Sequence, residues 1–511
     1  LIVPLPRRMT PEGPGLRLGA RVRVAVPSQE LRGLGEVVAD LLARVHGVDA
    51  VVQAGGEGDL VLALDAAAGP GEGHELTVNE DGATVRASSA EGLFRGATTF
   101  AQLIGPDSVV PGVRIGDAPA LAWRGLSLDV ARRFFTVAQV KKVVDLLALY
   151  KFNVLHLHLT DSQSWRLEID GWPRLTDPAC WPEGELTAEE GGRPYYTQDD
   201  YREIVAYAAA RFVTIVPELD MPGHVLAAVR AYPGLQGDHK PAHRQMAFLD
   251  PGSKEAVRFV TETLGQLAAL TPGPYLHLGG DEAFGMPPEL YARFAARALE
   301  IARGTGKKVV VWQEGARSGA LTPHETVQAW IGRGDEFDAE AARATAPPEY
   351  LPFVDMMAEA FAEAGRDVPA AVAAGAPVLA SASSFLYLDR RYAEDSLLDG
   401  QTARRTEVGF GSYEPRTCRE LFAWRPDAMP EIPAGARLAG VEAAIWCETV
   451  KDFDDLAFLL LPRLPGIAEK AWTSAETGWD DYRGRLSAHR GWWERLGWGG
   501  YYRSAEVFGP A

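Results

Sequence analysis

The chain has 511 residues, 47% of them hydrophobic and 23% charged, and a formal charge of -18. That length suits a barrel-sized domain with a smaller companion. The acidic balance argues against nucleic acid or an anionic membrane as partner, and no apolar run approaches the ~20 residues that span a bilayer.

The chain begins at Leu1 rather than Met, which reads as a truncated N-terminus. The compartment stays open between secreted and cytoplasmic, of a bacterial type. Residues 1–118 read as a small α+β domain. Leu34, Val37, Val38, Leu41 and Leu42 follow helical spacing, and "DLVLALD" (59–65) is a strand. "HELTVNEDGATVRAS" is a hairpin turning at Asp81-Gly82, and "SSAEGLFRGATTFAQLI" is a helix with a serine cap. No chemistry is visible here, and packing or scaffolding is the expected role.

Residues 119–511 read as the second domain. Short β-rich runs alternate with amphipathic helical stretches at 124–131, 153–161, 213–220, 275–282, 308–314, 326–331, 377–384 and 438–448. Strands with helical crossovers predict a (β/α)8 TIM barrel rather than an open doubly wound sheet, whose glycine-rich phosphate loop is missing. Most runs finish in polar or aromatic groups: Asp161, Asp220, Asp281-Glu282, Trp312, Trp330, Trp446 and Glu448. In a barrel those ends face one mouth. Three cysteines, Cys180, Cys418 and Cys447, lack metal-type spacing and allow one disulfide at most.

Residues i and i+2 of a strand share a face, so Trp446 and Glu448 point together and Cys447 points away. Tyr387 and Asp389 pair likewise if the seventh strand extends that far. Asp281 and Glu282 would diverge on a regular strand, but Gly279-Gly280 lets the backbone turn. The competing reading makes them an acidic cap for the helix over 287–304. Three tryptophans from three strand ends, beside several carboxylates, suit a ligand with apolar faces and many hydroxyls, as a sugar has.

"LHLGGDEAF" resembles the His-x-Gly-Gly-Asp-Glu signature of family 20 glycoside hydrolases, the β-N-acetylhexosaminidases. "LSLDVARRFF", "YKFNVLHLHLTDSQSWRLEI", "PELDMPGH", "VVVWQE", "LYLD", "EAAIWCE" and "LPRLPGIAEKAW" resemble that family's other blocks, in order. The resemblance implies an exo-acting, retaining enzyme that removes terminal N-acetylglucosamine, with N-acetylgalactosamine the alternative. Its mechanism is one of the exceptions to the two-carboxylate scheme, because the sugar's own acetamide is the nucleophile and an oxazolinium is the intermediate.

By that resemblance Glu282 is the acid and then the base, Asp281 holds the acetamido N–H, and Tyr387 donates to the acetamido oxygen. Trp312, Trp330 and Trp446 enclose the sugar and its methyl. Arg132, Asp389 and Glu448 bind ring hydroxyls, and Asp161 with His224 supports the acid. The family's Ser-Arg-His is here Ala131-Arg132-Arg133, which leaves Arg133 as an alternative. No Trp occurs in 390–423 to stack under the leaving sugar, so Tyr413 or Phe410 is the candidate there. The stretch 332–376 is long for a crossover. The implied partners are β-linked N-acetylhexosamine oligosaccharides or glycoconjugates, with no nucleic acid, membrane, metal or cofactor, for a monomer or small homo-oligomer.

Two alternatives stand beside this reading. His156 and His158 share a strand face, as in metal-dependent barrel hydrolases. A non-catalytic sugar-binding relative would keep the same fold.

Overall fold

A computed structural model describes residues 1–182, 192–238, 246–473 and 475–510. In the N-terminal part, the hairpin strands His74–Asn79 and Gly82–Ala87 lie at the centre of a seven-stranded mixed sheet. The helices Arg32–His46 and Ala90–Leu103 pack on this sheet, the second capped by Ser89, whose side chain accepts from the Gly92 amide. Their apolar core is closed by Ala148 and Phe212, which belong to the following barrel.

Eight parallel strands close that barrel among the described residues. They are β1 (Trp123–Asp129), β2 (Val154–His158), β3 (Thr214–Glu218), β4 (Tyr275–His277), β5 (Lys308–Trp312), β6 (Thr326–Ala329), β7 (Val378–Ala380) and β8 (Leu438–Ile445). β8 pairs with β1 from Trp123↔Gly440 to Leu128↔Ile445, which completes the ring. All eight runs expected from the sequence are present, so the fold is the (β/α)8 barrel with its preceding α+β unit. No described helix is long and apolar enough to cross a membrane. Cys180, Cys418 and Cys447 are all free thiols.

The barrel interior is layered. At its N-terminal end Trp123, Val154, Val216, Val310 and Leu379 form an apolar plug. Above it lies a polar layer, unusual for a core and tolerable only because its members are paired. His156 sits between Glu442 Oε1 at 2.9 Å and Glu218 Oε2 at 3.0 Å. Gln328 donates to Glu442 Oε1 at 2.9 Å, and the Trp123 indole donates to Glu442 Oε2 at 2.8 Å. The Trp312 indole donates to Glu218 Oε1 at 2.8 Å. This layer is the rigid floor on which the strand-end residues stand.

Two elements differ from expectation. β7 stops at Ala380, and a short helix, Ser383–Leu386, intervenes before Tyr387. The chain then rejoins the barrel beside β8, through a parallel bridge between Tyr387 and Ala444. Tyr387 and Asp389 therefore share a direction on this second short extended piece, not on β7 itself. The long stretch after β6 folds into helices Ala339–Thr345, Leu351–Ala362 and Ala364–Ala373, which stand beside the mouth.

Candidate active site

The mouth is built around the loop that leaves β4. His277 ends the strand, and its Nδ1 accepts the Gly279 amide at 3.0 Å while Nε2 faces Gln328 Oε1 at 3.2 Å. The backbone is then left-handed at Gly279 (φ 66°), Gly280 (φ 114°) and Glu282 (φ 46°). A Cβ on Gly279 would lie 1.8 Å from Asp220 Oδ1, the atom that accepts the Gly280 amide at 3.0 Å. Tyr291 fastens the other side by donating to the Gly280 carbonyl at 2.6 Å. Glu282 is held in a conformation that costs a non-glycine residue about 1–3 kcal/mol, a form of strain that clusters at working sites.

That turn decides where the adjacent acids point. His224 Nε2 lies 3.6 Å from Asp281 Oδ2 and 3.5 Å from Glu282 Oε2, so both carboxylates converge on one point instead of diverging. The helix that follows starts at Pro288 behind Pro287, so neither acid caps it. His224 is itself left-handed (φ 53°), and Gly223 beside it packs against the backbone of Asp281 and Ala283.

A line of buried charge runs inward from the acids. His224 Nδ1 is 3.1 Å from Asp161 Oδ1. Asp161 Oδ2 is 2.8 Å from His158 Nε2 and 2.8 Å from Arg132 Nη2. His158 Nδ1 reaches Glu218 Oε2 at 2.5 Å. Burial opposes charge on His224, but Asp161 and Asp281 outweigh it and hold the imidazole well above its usual pKa. Burial likewise works against the Asp161 anion, yet Arg132 and His224 keep its carboxyl well below the ordinary range. His156 is pushed up to about 9, with Glu218 and Glu442 overcoming burial. Both nitrogens of His156 and both of His158 face carboxylates, so the His-x-His pair is tied into the barrel floor; His156 with Glu218 and His277, and His158 with Asp161 and Asp220, are also the buried groups whose spacing could hold a metal ion.

Asp281 behaves differently. Burial first, and the neighbouring Glu282 and Glu218 after it, raise its carboxyl to about 6 against the pull of His224. Its Oδ1 is buried without a hydrogen-bond partner among the described residues. Asp389 is buried too, neither of its oxygens has a well-formed hydrogen bond, and burial with Glu448 nearby raises it to about 8. Buried polar atoms left unpaired in a concave site mark positions where a ligand completes the bonding.

Aromatic rings enclose the space above these acids. Trp312 and Trp446 lie 5.9 Å apart at 49°, and Tyr387 lies 6.0 Å from Trp446. Trp330 runs parallel to Tyr387 at 6.4 Å and 9°. Arg132 is oriented by Asp129 at 3.3 Å, stands 5.4 Å over the Trp446 ring, and comes within 4.0 Å of Glu448. Arg133 makes none of these contacts. Tyr413 meets Tyr387 edge-on at 6.2 Å, and the Arg390 guanidinium lies over its ring at 4.7 Å.

All eleven residues singled out in the sequence therefore meet at one mouth. Three that were not singled out, Asp129, Glu218 and Glu314, also shape it, as does Asp220, which the sequence marked as a strand end without a role. Asp129 accepts the Ala131 and Arg132 amides, each at 2.9 Å, and the Cys447 amide at 3.1 Å. Glu218 and Asp220 brace the floor and the β4 loop. Glu314 accepts the Trp330 indole at 3.1 Å. The acids inside "VPELD" and "VVVWQE", interrupting apolar strands, were the available signal.

The chain matches the family described as "Glycosyl hydrolase family 20, catalytic domain" over residues 121–289 and 285–475, and "Glycosyl hydrolase family 20, domain 2" over 1–118. It is 37% identical to a β-N-acetylhexosaminidase of Cellulomonas fimi, across 100% of this chain and 97% of that one. The structure of Streptomyces plicatus N-acetyl-β-hexosaminidase in complex with Thio-NAglucal superposes with a TM-score of 0.82 at 35% identity, covering 99% of this chain and 97% of that one. The family 20 β-N-acetylhexosaminidase of Streptomyces coelicolor gives 0.80 at 36%, covering 99% and 98%.

Proposed function

This chain belongs to glycosyl hydrolase family 20 and is an exo-acting β-N-acetylhexosaminidase, and from that premise we propose how its residues divide the substrate-assisted reaction. The observation that carries the assignment is the convergence of Asp281 and Glu282 on His224 through a left-handed turn. Two acids so placed reach two neighbouring atoms of one sugar ring.

A terminal N-acetylglucosamine enters with its hydroxyls toward Arg132, Asp389 and Glu448 and its acetamide toward Asp281, Tyr387 and the tryptophans. The acetamide oxygen attacks C1 as the glycosidic C–O bond breaks, and the Glu282 carboxyl gives its proton to the leaving oxygen. The unpaired Asp281 Oδ1 accepts the acetamido N–H and stabilises the positive oxazolinium. With a pKa near 6 that carboxyl is largely ionised at neutral pH, as the role requires. Tyr387, its hydroxyl kept protonated by burial and then by Tyr413, Asp281 and Asp389, donates to the attacking oxygen. The same donor fixes the near-attack geometry.

Glu282, now a carboxylate, takes a proton from water as that water opens the oxazolinium at C1. The acetamide is restored and the product keeps its β configuration. No side chain forms a bond to carbon. His224 and Asp161 hold the Glu282 carboxyl in place through the two steps. The substrates are β-linked N-acetylhexosamine oligosaccharides or glycoconjugates.

Glu282→Gln tests the division of roles. Its kcat should fall by about 10² to 10⁴ on chitobiose, whose leaving group needs the proton. The loss should be much smaller on a p-nitrophenyl or azide leaving group. Equal losses on all of them would contradict the acid role.

A further inference from the structure

Of the three tryptophans at the mouth, two are held by the barrel itself. Trp312 is buried, with its indole tied to Glu218 in the floor. Trp446 meets His158 edge-on at 5.1 Å and has Arg132 over its face. Trp330 is different. It lies one residue past the end of β6 and is only half-buried, so its position rests on contacts from outside the strand.

One short segment supplies most of them: Gln313-Glu314, directly after Trp312 at the end of β5. The Trp330 indole N–H is shared between the two Glu314 oxygens, at 3.2 and 3.1 Å. Gln313 Oε1 accepts the Trp330 amide at 3.1 Å and the Ile331 amide at 3.3 Å. Glu314 is buried with no cation at ion-pair distance among the described residues, since the nearby Arg317 donates instead to Asp367 at 2.9 and 2.7 Å. Burying a carboxyl without a cation is costly, and the indole bond is the compensation this fold provides. The other support is Phe361 of the inserted helix Leu351–Ala362, 6.1 Å from the Trp330 ring. Glu314 and Phe361 both line a cavity of about 980 Å³, so space for the ring to retreat adjoins both supports.

Resting on the family 20 reading above, in which the tryptophans enclose the acetamide, we infer that Gln313 and Glu314 are positioning residues that fix Trp330 and thereby set the size of the N-acyl pocket. The segment that carries one enclosing ring thus locks a second. The preference for N-acetyl over longer N-acyl hexosamines is then set by groups that never touch the sugar. A closed apolar pocket rejects one extra methylene by roughly 10- to 200-fold, and it does so only while its wall stays in place. Glutamine at position 314 keeps a carbonyl oxygen for the indole, whereas leucine keeps the bulk and loses the acceptor.

The test is kcat/KM on p-nitrophenyl β-glucosaminides carrying an N-acetyl, N-propionyl or N-butyryl group, so that the leaving group stays constant. In Glu314→Leu the propionyl-to-acetyl ratio should rise about tenfold, through a lower kcat on the acetyl substrate and a lower KM on the propionyl one. Glu314→Gln should keep the parent's ratio. Gln313→Leu should shift it in the same direction as Glu314→Leu, and it decides the matter if Glu314→Leu does not fold. Trp330→Ala should raise the ratio too, and adding Glu314→Leu to that variant should change it no further. An unchanged ratio in the leucine variants, an equal shift in Glu314→Gln, or effects that add to those of Trp330→Ala would each overturn the assignment. A parent enzyme inert on the N-acetyl substrate would instead contradict the underlying glycosidase reading.

Discussion

Asp389 shows how a single residue trades stability for binding. It is 1% exposed, lacks a well-formed hydrogen bond, and has its carboxyl raised to about 8, by burial first and Glu448 second. Below the unfolded-state value, near 4, both states hold the proton and the residue is neutral to stability. As pH rises from there toward 8 the unfolded chain releases its proton while the folded one keeps it, so stability falls; above about 8 the full penalty applies. Asp389→Asn removes the liability. Thermal or urea unfolding should find the variant more stable than the parent at pH 8, by up to about 5 kcal/mol, with the gap closing near pH 4. The same variant should raise KM, because the amide replaces a hydroxyl acceptor. A variant less stable at pH 8 would show that Asp389 is satisfied within the protein. The sequence marked this residue through "LYLD" and its i, i+2 pairing with Tyr387; its place beside β8 follows from the helix Ser383–Leu386, which no local pattern announced.

The β4 loop is the element that turns a barrel into a catalyst. The sequence reading carried the strand on to Glu282, whereas β4 ends at His277 because three of the next five residues are left-handed. "GGDE" identified the glycines and the acids but not the geometry, since the left-handed Glu282 depends on Asp220, Tyr291 and the Gly223 turn, which arrive from elsewhere in the chain. Gly279→Ala tests the element. A methyl there meets Asp220 Oδ1 and a backbone at φ 66°, so it should cost about 1–3 kcal/mol. Displacing Asp281 and Glu282 by an ångström should also lower kcat about 10²-fold. Gly304→Ala, where a methyl meets nothing within 4 Å, should leave both near the parent values. Parent-like kcat in Gly279→Ala would mean the acids do not depend on this turn. Elsewhere the elements were largely legible: the eight β-rich runs became eight strands because apolar alternation and helical crossovers survive folding unchanged. The stretch 332–376 was not legible, because its helices are amphipathic toward a wall that exists only once the barrel has formed.

Across the whole molecule, a buried ionic cluster joins the two parts. Glu72, from the loop before the N-terminal hairpin, receives Arg95 Nε at 2.9 Å and also binds Arg124 of β1. Arg95 donates to the Phe152 and Phe212 carbonyls, and Lys151 meets Asp117 at 3.0 Å beneath the Trp472 indole. The N-terminal sequence offered no chemistry, and its visible contribution is this clamp on the barrel. Glu72→Gln removes the charge that two buried guanidiniums share, leaving Arg95 with Glu91 and Arg124 with backbone carbonyls alone, and should destabilise the enzyme by about 3 kcal/mol, read as a lowered Tm in calorimetry. An unchanged Tm would mean the cluster is not the clamp. The whole assembly serves one claim, that the substrate supplies its own nucleophile. The direct measurement is kcat/KM along a series of p-nitrophenyl β-glucosaminides whose N-acetyl group carries zero, one, two or three fluorines. A steep, monotonic fall as the carbonyl oxygen loses nucleophilicity is the result expected here; rates independent of fluorine content would contradict it.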